Sequence, residues 1–279
     1  MNLREFIISR GSEREGFLQR IPYAQADIAA VLPIFSWVVE ALHGQRPSEI
    51  FDEYTARSAI ALQSLKEYVA EHRRNTHLDY GDAKTFRYFD TSYFYRNLLK
   101  CLLAVHYLKG NLPKFGIENF RRPTTVIDVG SGVGTFSIAC SLLELFPDAR
   151  YLLLDKFSLQ IKLAQSLSSH LGCQKFDFAV KDVFSAFDRR GLFIASYWLC
   201  GNRRAVLEKS DADLKRVLSD GLILIDYRDN LLEFAARAKL LRVKMHFLEI
   251  HSAVPQPHRV LVGSRDLNVY VLIVEPTRT

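Results

Sequence analysis

Residues 125–138, Thr-Val-Ile-Asp-Val-Gly-Ser-Gly-Val-Gly-Thr-Phe-Ser-Ile, form a buried-strand run that breaks into three glycines at alternate positions and restarts as a helix. Gly130, Gly132 and Gly134 can adopt backbone angles closed to other residues, and without a Cβ they let a ligand reach the main chain. The following helix start supplies unpaired N–H groups. A nucleotide-like ligand is therefore expected against this turn.

The pattern around the turn agrees. After Arg122, apolar runs of strand length alternate with helical spacing, the mark of a parallel sheet covered on both faces. Strands are expected at 125–129, 151–155, 176–181, 192–197, 222–226, 244–250 and 268–274. Helices are expected at 134–144, 158–171, 203–218 and 230–241, with 260–263 extending a neighbouring strand and 252–259 connecting the last two strands. Upstream, from Ser12 to about Tyr107, apolar residues recur three and four apart (Ile28, Val31, Leu32, Phe35, Val38; Ile60, Leu65, Tyr68, Val69), and this half reads as all-α. Its helices include one beginning near Ser48 with Asp52 and Glu53 in its first turns, and one at 92–108. The polar stretch 73–84 reads as a loop, and Gly110 to Pro113 with Gly116 as the connection between the halves. The division expected is residues 1–119 as a helical cap or substrate domain and 120–279 as the ligand-binding domain.

Acidic residues choose the ligand class. Asp128 lies inside the first strand, where a pyrophosphate would be repelled and where a carboxylate needs a partner. Asp155 ends the next apolar run, the position from which an α/β nucleoside-binding fold accepts from ribose hydroxyls. Asp182 follows the third run, beside Phe184, which can flank an adenine. A dinucleotide-binding turn expects Gly-x-Gly-x-x-Gly, whereas Phe136 and Ser137 stand where its last glycine belongs.

With these residues the chain resembles the class I S-adenosylmethionine-dependent methyltransferases over about Pro123 to Pro276. Val126 to Gly134 match the family's first motif, Asp155 its ribose-binding acid and Asp182 its adenine-binding acid. The resemblance implies a seven-stranded Rossmann-like sheet, mostly parallel with an antiparallel last strand. It implies S-adenosyl-L-methionine as cofactor and S-adenosyl-L-homocysteine as product, held by Asp128, Gly130, Ser131, Gly132, Gly134, Asp155, Lys156, Asp182, Val183, Phe184 and Tyr197.

Ligands in open α/β sheets lie beyond the carboxyl ends of the strands, so residues 196–202 should approach the transferred methyl. Tyr197, Trp198 and Asn202 are candidates for the pocket, Trp198 equally for core packing. This segment is not the Asn/Asp-Pro-Pro-Tyr of many amino-methylating nucleic-acid enzymes. Tyr197, His251 and His258 are the candidate catalytic residues, while His106 reads as a core histidine. Tyr93 and Tyr95, in the aromatic stretch 86–96, are candidates to close over substrate, with a helix packed onto the sheet as the alternative.

The 279 residues, 48% of them hydrophobic, suffice for a large core without disulfides. The four cysteines, Cys101, Cys140, Cys173 and Cys200, show no Cys-x-x-Cys spacing and read as reduced buried thiols, favouring the cytoplasm. No leader or membrane span is legible, and no metal-ligand cluster. The net charge of +6 is spread among 31 acids, so pairs such as Arg203-Arg204 read as solvated surface. The expectation is a methyltransferase acting on oxygen or nitrogen of a small molecule or peptide. Its alternatives are an RNA methyltransferase using the basic surface and a non-catalytic methyltransferase-like binding subunit. The oligomeric state, a homodimer included, is not legible.

Overall fold

The computed structural model describes residues 18–20, 24–25, 27–42, 83–112, 123–184 and 190–277. The expected helices of 48–69 lie outside them, as do the expected loop of 73–84 and connection of 110–116, except that residues 83–84 and 110–112 are helical.

Every strand expected after Arg122 is present. They are β3 (Thr125–Val129), β4 (Arg150–Asp155), β5 (Phe176–Val180), β6 (Leu192–Ser196), β7 (Leu222–Asp226), β8 (Met245–Ala253) and β9 (Asp266–Val274). They hydrogen-bond in the order β5-β4-β3-β6-β7-β9-β8. All pairs from β5 to β7 are parallel, and β9 runs antiparallel to both β7 and β8. Two short strands, β1 (Leu18–Arg20) and β2 (Ala24–Gln25), add in parallel to the outer edge of β8. The N-terminal region was expected to be all-α. These strands correct that: the unpaired edge of β8 offers a ladder of N–H and C=O groups that local helical spacing does not reveal.

Alternate residues of each central strand feed opposite faces, so the sheet carries two cores. Val126, Leu153, Ile194, Ile223, Ile225, Leu248 and Val271 meet helices on one side. Ile127, Val129, Leu152, Leu154, Phe193, Leu224 and Leu272 meet helices on the other. The first face is covered by α1 (Leu32–Ala41), α2 (Ala83–Asn111), α3 (Thr135–Leu142) and α4 (Ser158–His170). The second is covered by α5 (Trp198–Leu207), α6 (Asp211–Leu218) and α7 (Arg228–Lys239).

Helix α2 begins earlier than the expected 92–108 and packs against α3 and β9. It buries Leu98, Leu99, Leu102, Leu103 and Leu108 completely, each stabilising by about 1.5–3 kcal/mol. The described part of the N-terminal half therefore shares the sheet's own core. A single helix was expected over 203–218, but Ser210 interrupts it: its hydroxyl accepts from Asp213 N and donates to Asp213 Oδ2, starting α6 afresh. Residues 259–262, expected to extend a strand, form the short helix α8 (Arg259–Val262), closed by left-handed Gly263.

Candidate functional site

The turn after β3 is left-handed at Gly130 (φ 58°), Gly132 (φ 54°) and Gly134 (φ 80°), and the three have different neighbours. A Cβ at Gly130 would meet Trp198 Cδ1 at 2.6 Å, and one at Gly134 would meet Leu153 Cδ2 at 2.7 Å. A Cβ at Gly132 would find only Gln160 Oε1, at 3.7 Å. Gly130 and Gly134 thus admit neighbouring side chains, while Gly132 faces open space. That space is a cavity of about 270 Å³ over the carboxyl ends of β3, β4, β5 and β6. Crossovers of one hand leave the helix starts around these ends, which is why the cavity forms there.

Asp155, at the end of β4, is the cavity's buried acid. Its Oδ2 accepts from Gly132 N at 3.0 Å and its Oδ1 from Phe157 N at 2.9 Å. Burial pushes its pKa up, and these two N–H groups oppose that shift. Each oxygen keeps a further lone pair for a ligand hydroxyl. Across the cavity, Asp182 accepts from Phe184 N through Oδ1 at 2.9 Å, which turns the chain after β5. Phe184 stacks on Trp198, centroids 5.8 Å apart, and Lys209 Nζ lies 4.7 Å from the Phe184 ring centre. Lys156 donates to Asn202 Oδ1 at 3.3 Å across the opening. Gly130, Ser131, Gly132, Asp155, Lys156, Asp182, Val183, Phe184, Tyr197, Trp198, Asn202 and Tyr93 all line this one space.

Five expected site residues do not line it. Asp128 is fully buried beneath the turn, where Oδ2 accepts from Ser137 Oγ at 2.7 Å and Ser137 N at 3.3 Å, pinning the start of α3. Its side chain takes the inner-face direction that strand alternation assigns to it, and burial pushes its pKa up to about 7. Gly134 is filled by Leu153. Tyr95 faces the core against Phe35 and Phe94, because it lies two positions from Tyr93 on a helix and so on another face. His251 sits within β8 beside Tyr270, and His258 packs edge-on against Phe35. Neither lines the cavity: β8 lies beyond β7 in the sheet, and His258 sits in the connection from β8 to β9. Cys200, expected to be buried, is exposed and lines the cavity.

Sequence reasoning missed Asn97, Phe157, Gln160, Lys181, Lys209 and Tyr227 in the lining. Tyr227 was findable, since it follows β7 as Tyr197 follows β6. Tyr197 itself is left-handed (φ 56°), a conformation uncommon for a non-glycine residue. Its ring centre lies 5.6 Å from that of Tyr227. Burial holds the Tyr197 phenol well above its usual range and pushes Tyr227 up to about 12, so both keep their protons at neutral pH.

The strand order, with its antiparallel β9 between β7 and β8, decides the architecture. The chain has the class I methyltransferase fold. No family model and no curated protein matches the chain. Among solved structures with similarity to this methyltransferase fold is magnesium protoporphyrin IX methyltransferase from Synechocystis PCC 6803 with bound SAM, at 14% identity. The match covers 65% of this chain and 83% of that one, with a TM-score of 0.44. Precorrin-6y C5,15-methyltransferase from Geobacter metallireducens GS-15 is 13% identical, over 60% of this chain and 87% of that one, at TM-score 0.42. A SAM-dependent O-methyltransferase from Thermotoga maritima is 13% identical, over 63% and 66%, at TM-score 0.42. Among the described residues no helix is long and apolar enough to cross a membrane, and no three His, Cys, Asp or Glu side chains group as metal ligands.

Proposed function

We propose that this protein is an S-adenosylmethionine-dependent methyltransferase acting on an oxygen or nitrogen of a small molecule or peptide. The observation that carries the reading is the pairing of an open, left-handed Gly132 with Asp155, hydrogen-bonded side by side on the wall of one cavity. Asp155 suits the two ribose hydroxyls, Asp182 with Phe184 the adenine, and the Gly130 to Gly132 main chain the amino-acid end. The cofactor supplies an electrophilic methyl group on a sulfonium.

The protein's share of such a reaction is alignment and exclusion of water, because in-line displacement needs little covalent help. Tyr197 and Tyr227 stand at the exits of β6 and β7 as protonated phenols, able to donate to an acceptor and unable to take its proton at neutral pH. No histidine lines the cavity among the described residues. The carboxylates of Asp155 and Asp182 also line it.

Calorimetric titration with S-adenosylmethionine, S-adenosylhomocysteine and NAD tests this. Micromolar binding of the first two and none of the third is expected. Binding of NAD, or of none, overturns the reading.

A further inference from the structure

One end of the cavity is walled by Tyr93 and Asn97 of α2 with Tyr197 and Tyr227. Directly behind this wall, α2 carries two cations. Lys100 is only 8% exposed, and its Nζ lies 5.5 Å from the Tyr197 ring centre. Arg96 is partly buried, and its Nε is enclosed without a hydrogen-bond partner. Burying a cation is costly unless an anion or oriented dipoles answer it. The nearby carboxylate among the described residues is Asp226, and its hydrogen bonds go elsewhere: Oδ2 accepts from Leu199 N, and Oδ1 from Tyr227 N and Asn230 Nδ2. Burial also raises the Asp226 pKa to about 6, weakening it as a counter-ion. Lys100 in turn has its pKa lowered to about 8, first by burial and then by Arg96, with Cys101 and Asp226 acting in the opposite direction.

We propose that this end of the cavity is an acceptor subsite for an anionic group, a carboxylate or a phosphate monoester, on a small substrate. In this subsite the Tyr197 and Tyr227 phenols and the Asn97 amide donate to the anion, and Lys100 and Arg96 stand behind them as its counter-charge. Neither cation lines the cavity. They act through the low-dielectric wall, where a charge is screened far less than in water. This inference rests on the proposed cofactor reading, since it assigns the remainder of the same cavity.

Protein saturated with S-adenosylhomocysteine is titrated calorimetrically with benzoate, phenyl phosphate and the neutral benzamide. Failure to saturate with S-adenosylhomocysteine sinks the cofactor reading before the subsite is reached. Given saturation, binding of an anion at least tenfold tighter than benzamide is expected. The tighter of the two anions tells carboxylate from phosphate. Lys100→Met should lose about tenfold for the anion, about one pKa unit's worth of differential interaction, and leave benzamide unchanged. Lys175→Met is the control, since Lys175 is exposed and bonds Pro147 O at the opposite end of β5. In the wild type, anion affinity should fall as pH rises through about 8, when Lys100 loses its charge, a readout that needs no variant. Equal affinity for benzoate and benzamide, no anion binding, or a flat pH profile overturns the assignment.

Discussion

Gly132 donates its backbone N–H to Asp155 Oδ2 at 3.0 Å, joining the turn after β3 to the end of β4. The bond places the acid against the one glycine of the turn whose missing Cβ faces open space. A ligand lying there meets bare main chain and a carboxylate together.

Gly132→Val should abolish S-adenosylhomocysteine binding while the protein stays folded. The valine side chain enters the open space, and its left-handed backbone costs about 1–3 kcal/mol. Paired calorimetry and thermal melts check it. Retained binding would mean that the ligand lies elsewhere.

Gly134→Ala should show the reverse balance. Its Cβ overlaps Leu153, so a loss of about 1–3 kcal/mol in stability is expected with a smaller effect on ligand affinity. Denaturant melts decide this, and an unchanged midpoint would contradict the packing role.

Asp155→Ala should weaken cofactor affinity by about 1.5–3 kcal/mol, the scale of a charge-assisted hydrogen bond. Titration with S-adenosylhomocysteine measures it directly, and an unchanged dissociation constant would remove Asp155 from the ribose site.

Trp198→Ala should cost about 3–5 kcal/mol of stability, because the indole is buried between Gly130 and Phe184. A small loss in urea melts would show the ring to be a mobile cavity wall instead.

Asp128 carries a pH dependence. Its folded pKa of about 7 lies above the ordinary aspartate value of 3.8, so the folded state binds the extra proton between them. This contribution is complete below about pH 4 and is lost as pH rises through about 7. Asp226, with a folded pKa of about 6, acts in the same sense. Asp128→Asn should therefore gain stability relative to wild type on going from pH 5 to pH 8. Melts of both proteins at the two pH values test it, and a constant difference would show that Asp128 stays ionised.

Much of the sheet was readable because buried parallel strands are continuous apolar runs, and β3 and β7 fall on the residues expected of them. The glycine turn with Asp155 and Asp182 was readable because turn chemistry and strand ends are local properties. The break at Ser210 was missed because apolar spacing continues across it, while the cap is a single hydroxyl.

By itself the chain determined the α/β class, the position of the glycine turn and the acids beside it, since each follows from the conformational needs of a few consecutive residues. Tertiary structure decided the rest. It set which acid meets the cavity and which is spent beneath the turn on Ser137, and which glycine is left open. It drew β1 and β2 onto β8 and carried the histidines away from the site. Such outcomes depend on how elements distant in sequence pack, and burial, register and facing side chains are properties of the assembled sheet.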